Sequence, residues 1–261
     1  MEYSTLSFEV RDFVAYITFR RSNAANSINL EMAKELMRIT SHCSEDPDIK
    51  VVVITGSGNV FCPGGDLKSF VRNEGSLSYH LKELLMYLNT SISYLTTMEK
   101  VVIAAVNGVA AGSGMSIVCA SDLVIASESA RFTTAYTKAG LSPDASLTYF
   151  LPRIVGSRRA LEMAITNRTL SANDAYDWGL VNLVFPHDEL SYETTKYATQ
   201  IASGAIKAYG ATKRLLLSGW NTTLNTQMEK ETKVISDLSR YEESKEGMMA
   251  FIEKRSPKFT Y

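Results

Sequence analysis

The sequence predicts an α/β fold whose apolar strands are covered by helices on both faces. Short runs rich in Val and Ile recur along the first part of the chain, helix-like stretches separate several of them, and helical periodicity replaces the strands after about residue 190. Strands buried on both faces are apolar throughout, because helices pack on each side of a parallel sheet. The pattern therefore indicates one α/β core followed by a helical region.

Each predicted strand is a Val- and Ile-rich run that ends at a Gly, Asn or Ser turn. In chain order the predicted strands are 13–19, 49–56, 101–108, 122–127 and 179–185. Apolar residues at helical spacing predict helices between them. These are 30–43, 78–98 and 157–167, followed by helical patterns at 192–205, 208–220 and 244–255.

The order of these elements predicts two regions. Residues 1–195 form the core that carries the ligand site, and residues 196–261 form a helical C-terminal region. This second region cannot bury all of its apolar faces on itself, so we expect it to pack across the subunits of an oligomer. No linker rich in Pro, Gly or Ser separates the two regions.

Composition argues against several classes of partner. The 27 Lys and Arg residues nearly balance the 28 Asp and Glu residues, so no overall field attracts nucleic acid or an anionic membrane. The sequence has no run of about 18 apolar residues, and its first residues lack the pattern of a signal peptide. The three cysteines lack metal-ligand spacing and suit a reducing compartment. We therefore expect a cytoplasmic protein.

Two glycine-rich turns, 59–69 and 106–115, each follow a predicted strand and precede a helix. Backbone N–H groups at a helix start lack intrahelical partners, and glycine lets a ligand approach them closely. Two converging N–H groups could stabilise negative charge that develops on a carbonyl oxygen. Ordinary strand-to-helix turns are the alternative interpretation of the same residues.

Other sites that use glycine-rich turns do not fit these two segments. Neither turn has the Gly-Lys-Ser/Thr end of a P-loop. Gly112-Ser113-Gly114 lacks the third glycine of a dinucleotide fingerprint and the spacing of a serine-hydrolase elbow. The three histidines are scattered along the chain, so we expect no metal site.

Asp144 is a single carboxylate in a proline turn that leads into an apolar segment. An Asp after Ser-Pro can be a helix N-cap, whose side chain accepts backbone N–H bonds. It can also be an acid or base placed beside the two glycine-rich turns. Residue chemistry alone leaves both interpretations open.

Together these motifs resemble the enoyl-CoA hydratase/isomerase, or crotonase, superfamily. The resemblance rests on FCPGGDLKSF at 61–70, on 104–127, and on the run from GLSPDAS at 140–146 to NRTLSANDAYDWGLVN at 167–182. It extends over nearly the whole chain. It implies a crotonase (ClpP-like) fold, a spiral of strand-strand-helix units, and assembly as a homotrimer or a dimer of trimers.

The resemblance also assigns site residues. It implies that the N–H groups of Gly65 and Ser113 form an oxyanion hole for an acyl-CoA thioester. The residues expected along the substrate are Asn23, Ala24, Ala25, Gly64, Asp66, Leu67, Lys68, Gly112 and Tyr136. Because CoA arrives as part of the substrate, no separate cofactor is expected.

The reaction expected from this resemblance is an isomerisation. Hydratases of the superfamily use two glutamates, and the matching positions hold Ser116 and Tyr136 here, so we do not expect efficient hydration. Asp144 lies where some relatives carry their only acidic catalyst. We therefore predict an enoyl-CoA isomerase in which Asp144 moves a proton from C2 to C4 while the oxyanion hole holds the dienolate.

Three alternatives stay open. Residual hydration or another lyase reaction would add a group across the double bond. The sequence also resembles 4-chlorobenzoyl-CoA dehalogenase, but Asn89 and Tyr136 stand where that enzyme has a histidine and a tryptophan, which removes the base that activates water. A protein that only binds acyl-CoA would show no turnover that depends on Asp144.

Overall fold

The computed structural model describes residues 3–72 and 76–259, which form two β-sheets and the α-helices that pack on them. Up to residue 120 the elements are β1 (Leu6–Arg11), β2 (Val14–Phe19), α1 (Leu30–Glu45), β3 (Val51–Gly56), α2 (Leu67–Arg72), α3 (Leu77–Thr97), β4 (Val101–Val106), β5 (Val109–Ala111) and α4 (Ser113–Ala120). Those that follow are β6 (Leu123–Ser127), β7 (Arg131–Thr133), α5 (Leu147–Val155), α6 (Ser157–Thr166), β8 (Leu170–Ser171), α7 (Ala172–Asp177), β9 (Leu183–Phe185), α8 (Leu190–Ala202), α9 (Ile206–Gly219), α10 (Leu224–Leu238) and α11 (Glu242–Ile252).

The larger sheet has the strand order β1-β2-β3-β4-β6-β9, and the smaller sheet has the order β5-β7-β8. In the larger sheet β1 is antiparallel to β2, and every later neighbour is parallel. Two successive units, β4-β5-α4 and β6-β7-α5, each give one strand to each sheet and then a helix. The parallel pairing of β3 with β4, and the bridge between Cys62 and Ala110, place the ends of both strands and the starts of α2 and α4 on one side of the molecule.

Strand β3 illustrates why the central strands are apolar on both faces. Side chains of a strand point alternately to opposite sides of the sheet. Val52 and Ile54 pack into a cluster that includes residues of α1 and α3. Val51 and Val53 pack into a second cluster that includes residues of α8. Both faces are therefore covered by helices, as the apolar runs predict.

The predicted strands and the three predicted core helices are present, with ends that differ by a few residues. The largest difference is at 179–185, where only Leu183–Phe185 is a strand. Leu180 and Val181 are buried but lie in a turn, and both donate their N–H groups to the Ala175 carbonyl oxygen. Their apolar character reflects burial of this turn rather than a place in the sheet.

The C-terminal helices divide between the core and the surface. The predicted boundary between residues 195 and 196 falls inside α8, and α8 packs on β3, β4 and β6. The core therefore continues to the end of this helix. By contrast, α10 has no buried residue. Across residues 3–72 and 76–259, no helix is long and apolar enough to cross a membrane.

Candidate active site

The two glycine-rich turns lie directly against each other. Cys62 donates its N–H to Val109 O at 3.0 Å and accepts the Ala111 N–H at 2.9 Å, so a short parallel pairing joins the turns. Gly64 and Gly112 follow this pairing, and both have positive φ angles, 104° and 51°. A Cβ atom on Gly64 would lie 3.2 Å from Gly112 Cα, so glycine permits the close contact as well as the conformation.

The backbone of each turn presents one N–H group. Ile28 donates to Gly64 O at 2.8 Å and accepts the Asp66 N–H at 2.9 Å. In a parallel pair these bonds turn the N–H of the intervening residue, Gly65, to the opposite side. Ser113 is the first residue of α4, so its N–H has no intrahelical acceptor. No backbone acceptor for either N–H is found in the described part of the chain.

Asp144 is beside these turns and is not a helix N-cap. Helix α5 begins at Leu147, its N-cap residue is Ser146, and no side chain caps it. The Asp144 carboxylate points elsewhere: Oδ1 accepts a hydrogen bond from Tyr136 OH at 2.6 Å and another from Ser113 Oγ at 3.2 Å. The N-cap interpretation is therefore wrong.

The surroundings of Asp144 favour its protonated form more than water does. Burial raises the pKa of its carboxyl above the ordinary value, although the hydrogen bonds from Tyr136 and Ser113 act in the opposite direction. Burial also raises the pKa of Tyr136, and the neighbouring Asp144 charge adds to this effect. Tyr136 therefore stays a neutral phenol that can donate a hydrogen bond.

The structure brings Ser116 and Tyr136 together. Their side-chain oxygens lie 2.9 Å apart, and Ser116 Oγ also donates to the Asp144 carbonyl oxygen at 3.0 Å. Both side chains are buried. The sequence identified each position separately but gave no sign that the two hydroxyls bond to each other and to Asp144.

A cavity of about 280 Å³ opens beside Asp144, Gly65 and Ser113. Its apolar wall is formed by residues of α2, α3 and the loop before Asp144, namely Leu67, Phe70, Leu81, Leu84, Leu85 and Leu141. Gly64, Gly112 and Tyr136 also line it. Among the lining residues that the structure describes, Asp144 is the only acidic one. The cavity is thus lined by an apolar wall, by one carboxylate, and by the two residues whose N–H groups have no backbone acceptor in the described part of the chain.

A larger concavity of about 500 Å³ lies between α4, α5 and α9. Its charged residues are Asp122 and Lys213, which form an ion pair at 2.7 Å. Lys213 also donates to the carbonyl oxygens of Leu95 and Lys100. The charges of Asp122 and Lys213 neutralise each other, and no other charged side chain lines this concavity among the described residues. We therefore place the candidate site at the smaller cavity, which Gly65 and Ser113 line.

The loop that holds Asn23, Ala24 and Ala25 is tied to the first glycine-rich turn. Arg21 contacts Asp66 at 2.8 Å and also donates to the Ser27 carbonyl oxygen. Burial by itself would raise the pKa of Asp66, but its bonds from Arg21 and from backbone N–H groups hold that pKa below its ordinary value.

This loop does not line the cavity. Asn23 and Ala25 are exposed, and Ala24 is half-buried. Lys68 is exposed on the first turn of α2, outside the cavity lining. The pairing of Arg21 with Asp66 was not predicted from the sequence, because the two residues are 45 positions apart. In the described residues, no three His, Cys, Asp or Glu side chains are grouped as metal ligands.

Comparison with known proteins places these features in context. A family model described as enoyl-CoA hydratase/isomerase matches residues 9–261. The 1,2-epoxyphenylacetyl-CoA isomerase of Escherichia coli is 34% identical over 95% of each chain. The 4-chlorobenzoyl coenzyme A dehalogenase-2 of an Arthrobacter species is 34% identical over 87% of this chain and 83% of its own. The crystal structure of an enoyl-CoA hydratase from Bacillus anthracis superposes with a TM-score of 0.91 at 32% identity, over 98% of this chain and 99% of that one.

Proposed function

The chain belongs to the enoyl-CoA hydratase/isomerase family, and we propose that within this family it is an enoyl-CoA isomerase. The family and the crotonase fold expected from the sequence motifs are thereby confirmed. The observation that carries the proposal is the position of Asp144, the only acidic side chain among the described residues that line the cavity. It lies beside two backbone N–H groups suited to an oxyanion.

One carboxylate is sufficient for a 1,3-proton shift. In the proposed reaction, ionised Asp144 removes a proton from C2 of a 3-enoyl thioester, and the electron pair of that C–H bond moves into the conjugated system. Negative charge then develops on the thioester oxygen, where the N–H groups of Gly65 and Ser113 stabilise it. Protonated Asp144 returns the proton at C4, the double bond now lies between C2 and C3, and the carboxylate is regenerated.

Hydration is less well supported by this site. Adding water requires one group to activate the water and another to protonate carbon. Ser116 and Tyr136 occupy the positions that match the two glutamates of hydratases, and they hydrogen-bond to each other. Neither is a carboxylate, and burial keeps Tyr136 neutral.

Aryl-CoA dehalogenation is the second alternative, because one similar protein is described as such an enzyme. Asp144 could attack an aromatic carbon, but the ester intermediate needs a base to activate water. No histidine is among the described residues that line the cavity. Asn89, at the position expected for that histidine, lines a separate groove with Ser146 and Tyr149.

Substrate binding follows the same proposal. The acyl group would lie in the apolar cavity beside Leu81, Leu84 and Leu85, and the CoA portion would extend over the exposed loop that contains Asn23 and toward Lys68. CoA would enter as part of the substrate, with no separate cofactor. A protein that only binds acyl-CoA remains the alternative of another class.

The experiment measures conversion of trans-3-hexenoyl-CoA to the conjugated 2-enoyl thioester by ultraviolet absorbance. We expect Asp144→Asn to lower kcat by roughly 10² to 10⁴-fold, the usual contribution of a general acid–base group. Asp48→Asn, which neutralises an exposed carboxylate elsewhere, is the matched control and should behave as the wild type.

Each other outcome selects an alternative. Equal rates in the wild type and Asp144→Asn would contradict the role of Asp144. Hydration of a 2-enoyl-CoA or halide release from 4-chlorobenzoyl-CoA, without isomerisation, would support the corresponding enzyme. Binding of acyl-CoA without any of these reactions would support a non-catalytic protein.

We also propose that the C-terminal helices pack on further copies of the chain, in a homotrimer or a dimer of trimers. The support is the exposed apolar surface of α10 and α11, where Leu224, Ile235 and Phe251 are 74%, 70% and 85% exposed. Large apolar side chains that a single copy of the chain leaves exposed in this way are candidates for burial at an interface.

A further inference from the structure

The carboxylate of Asp144 is held by one of its two oxygens. Both Tyr136 OH and Ser113 Oγ donate to Oδ1, whereas no donor among the described residues reaches Oδ2. We propose that the hydroxyls of Tyr136 and Ser113 position Asp144 by anchoring Oδ1, so that Oδ2 is the oxygen that takes the proton from the substrate and returns it. This inference rests on the isomerase function proposed above.

The number of hydrogens fixes the direction of these bonds. Each hydroxyl has one hydrogen, and Tyr136 gives its hydrogen to Asp144 Oδ1 at 2.6 Å. Tyr136 can therefore only accept from Ser116, whose single hydrogen is shared among Tyr136 OH at 2.9 Å, the Asp144 carbonyl oxygen at 3.0 Å and, at 3.4 Å, the Gly112 carbonyl oxygen. The chain of bonds from Ser116 through Tyr136 thus points toward Oδ1 and supports its negative charge.

Tyr136 acts in this arrangement as a donor and not as a base. Burial and the neighbouring Asp144 charge raise the pKa of its phenol, so the O–H group is retained at working pH. The side chain is 8% exposed, and its ring is packed in the core. A donor fixed in this way holds the carboxylate in one orientation without exchanging a proton with substrate.

Ser113 connects the two halves of the site within one residue. Its N–H is one of the two proposed oxyanion donors, and its Oγ holds Asp144 at 3.2 Å. The proton-transferring carboxylate and the thioester oxygen are thus both placed relative to the start of α4.

The two residues that follow Asp144, Ala145 and Ser146, have φ angles of 46° and 72°, which non-glycine residues adopt only when their surroundings hold them. The backbone next to Asp144 is thus held in an uncommon conformation, and the two hydrogen bonds to Oδ1 hold the Asp144 side chain as well.

The first test compares Tyr136→Phe and Ser113→Ala with the wild type in the hexenoyl-CoA assay. Each variant removes one hydroxyl, and Ser113→Ala keeps the backbone N–H. We expect kcat to fall roughly tenfold to a hundredfold with little change in KM, because a displaced catalytic group lowers the rate more than binding. The acidic limb of the pH profile should move to higher pH, because each lost bond stabilised the ionised carboxylate.

Matched controls remove the same groups elsewhere. Tyr16→Phe removes a phenol hydroxyl from a strand packed on α8, and Ser121→Ala removes a hydroxyl at the other end of α4. Both should keep the wild-type kcat and pH profile.

The second test does not depend on turnover. Carbon-13 NMR of labelled aspartate carboxyls identifies the Asp144 signal by its loss in Asp144→Asn, and its titration should move to higher pH in both variants. If the wild type fails to isomerise but this titration moves, the isomerase function is wrong and the anchoring stands. If the wild type isomerises and neither the titration nor the pH profile moves in either variant, the anchoring is overturned.

Discussion

Asp144 shows what a single residue in a sequence can and cannot reveal. Its type and its place in a proline turn allow two uses, as a helix cap or as an acid–base group, and no local rule separates them. The structure decides between the two uses, because the Asp144 carboxylate accepts hydrogen bonds from Tyr136 and Ser113, which are 8 and 31 positions away in the chain. The family resemblance implies the Ser113 N–H as a donor of the site. The bond from the Ser113 hydroxyl to Asp144 could not be predicted, because it depends on how two turns that are distant in the chain meet.

Gly114 gives a prediction at the scale of one residue. A Cβ atom there would lie 2.1 Å from the Cys62 carbonyl oxygen, which the backbone pairing with Ala111 holds in place. We expect Gly114→Ala to lower the free energy of unfolding by about 3 kcal/mol or more, because overpacking a rigid contact moves backbone. Urea unfolding monitored by circular dichroism measures this change.

The matched control is Gly219→Ala at the end of α9, where the nearest atoms belong to the Gln227 side chain and lie 3.6 Å away, an ordinary van der Waals distance. Alanine is a better helix former than glycine, so this variant should be unchanged or slightly more stable. Equal unfolding free energies for Gly114→Ala and the wild type would mean that the two turns can separate at no cost.

At the scale of elements, the long buried segments were predictable, whereas the exposed helix α10 and the short strands were not. Helix α1 and strands β3 and β4 have sustained patterns whose burial follows from their own residues. Strands β5, β7 and β8 have two or three residues each and exist because they pair with one another across the chain. Their formation depends on tertiary packing, which local propensity does not encode.

Glu35 gives a prediction for the junction of two elements. It lies on α1, is 3% exposed, and accepts the N–H groups of Ser4 and Thr5 at 2.6 and 2.9 Å as well as both of their hydroxyls. Burial by itself would raise its pKa, but these four bonds outweigh burial and hold the pKa below the ordinary value of 4.5. These bonds hold Ser4 and Thr5, the residues just before β1, against helix α1.

The sign of the pH effect follows from this lowered pKa. The stabilisation is complete above the ordinary pKa of Glu35 and is lost as pH falls through the lower pKa of the folded state. We expect Glu35→Gln to reduce the free energy of unfolding at pH 7 by about 1 to 3 kcal/mol, and to weaken its decline below pH 4.5. Glu31→Gln, at an exposed position of α1, is the control, and urea unfolding at several pH values is the measurement. Parallel pH curves for Glu35→Gln and the wild type would contradict this role.

At the scale of the whole molecule, the sequence predicted a core with an added helical region, and the structure shows how unevenly that region is buried. Helix α8 covers one face of the larger sheet, whereas α10 has no buried residue. A net charge of only -1 supplies little repulsion between copies of the chain. Exposed apolar side chains of α10 and α11, such as Leu224, Ile235 and Phe251, are therefore candidates for burial between copies of the chain.

The proposed assembly is tested by size-exclusion chromatography with light scattering. We expect a mass of three or six times the 28.8 kDa chain. Ile235→Glu and Phe251→Glu should each shift the protein toward smaller species, because an interface that buries these side chains would also bury an unpaired charge. Val10→Glu, on the edge strand β1, is the matched control and should keep the wild-type mass. A wild type that elutes at 28.8 kDa at all concentrations, or charged variants that assemble normally, would show that α10 and α11 do not form the interface.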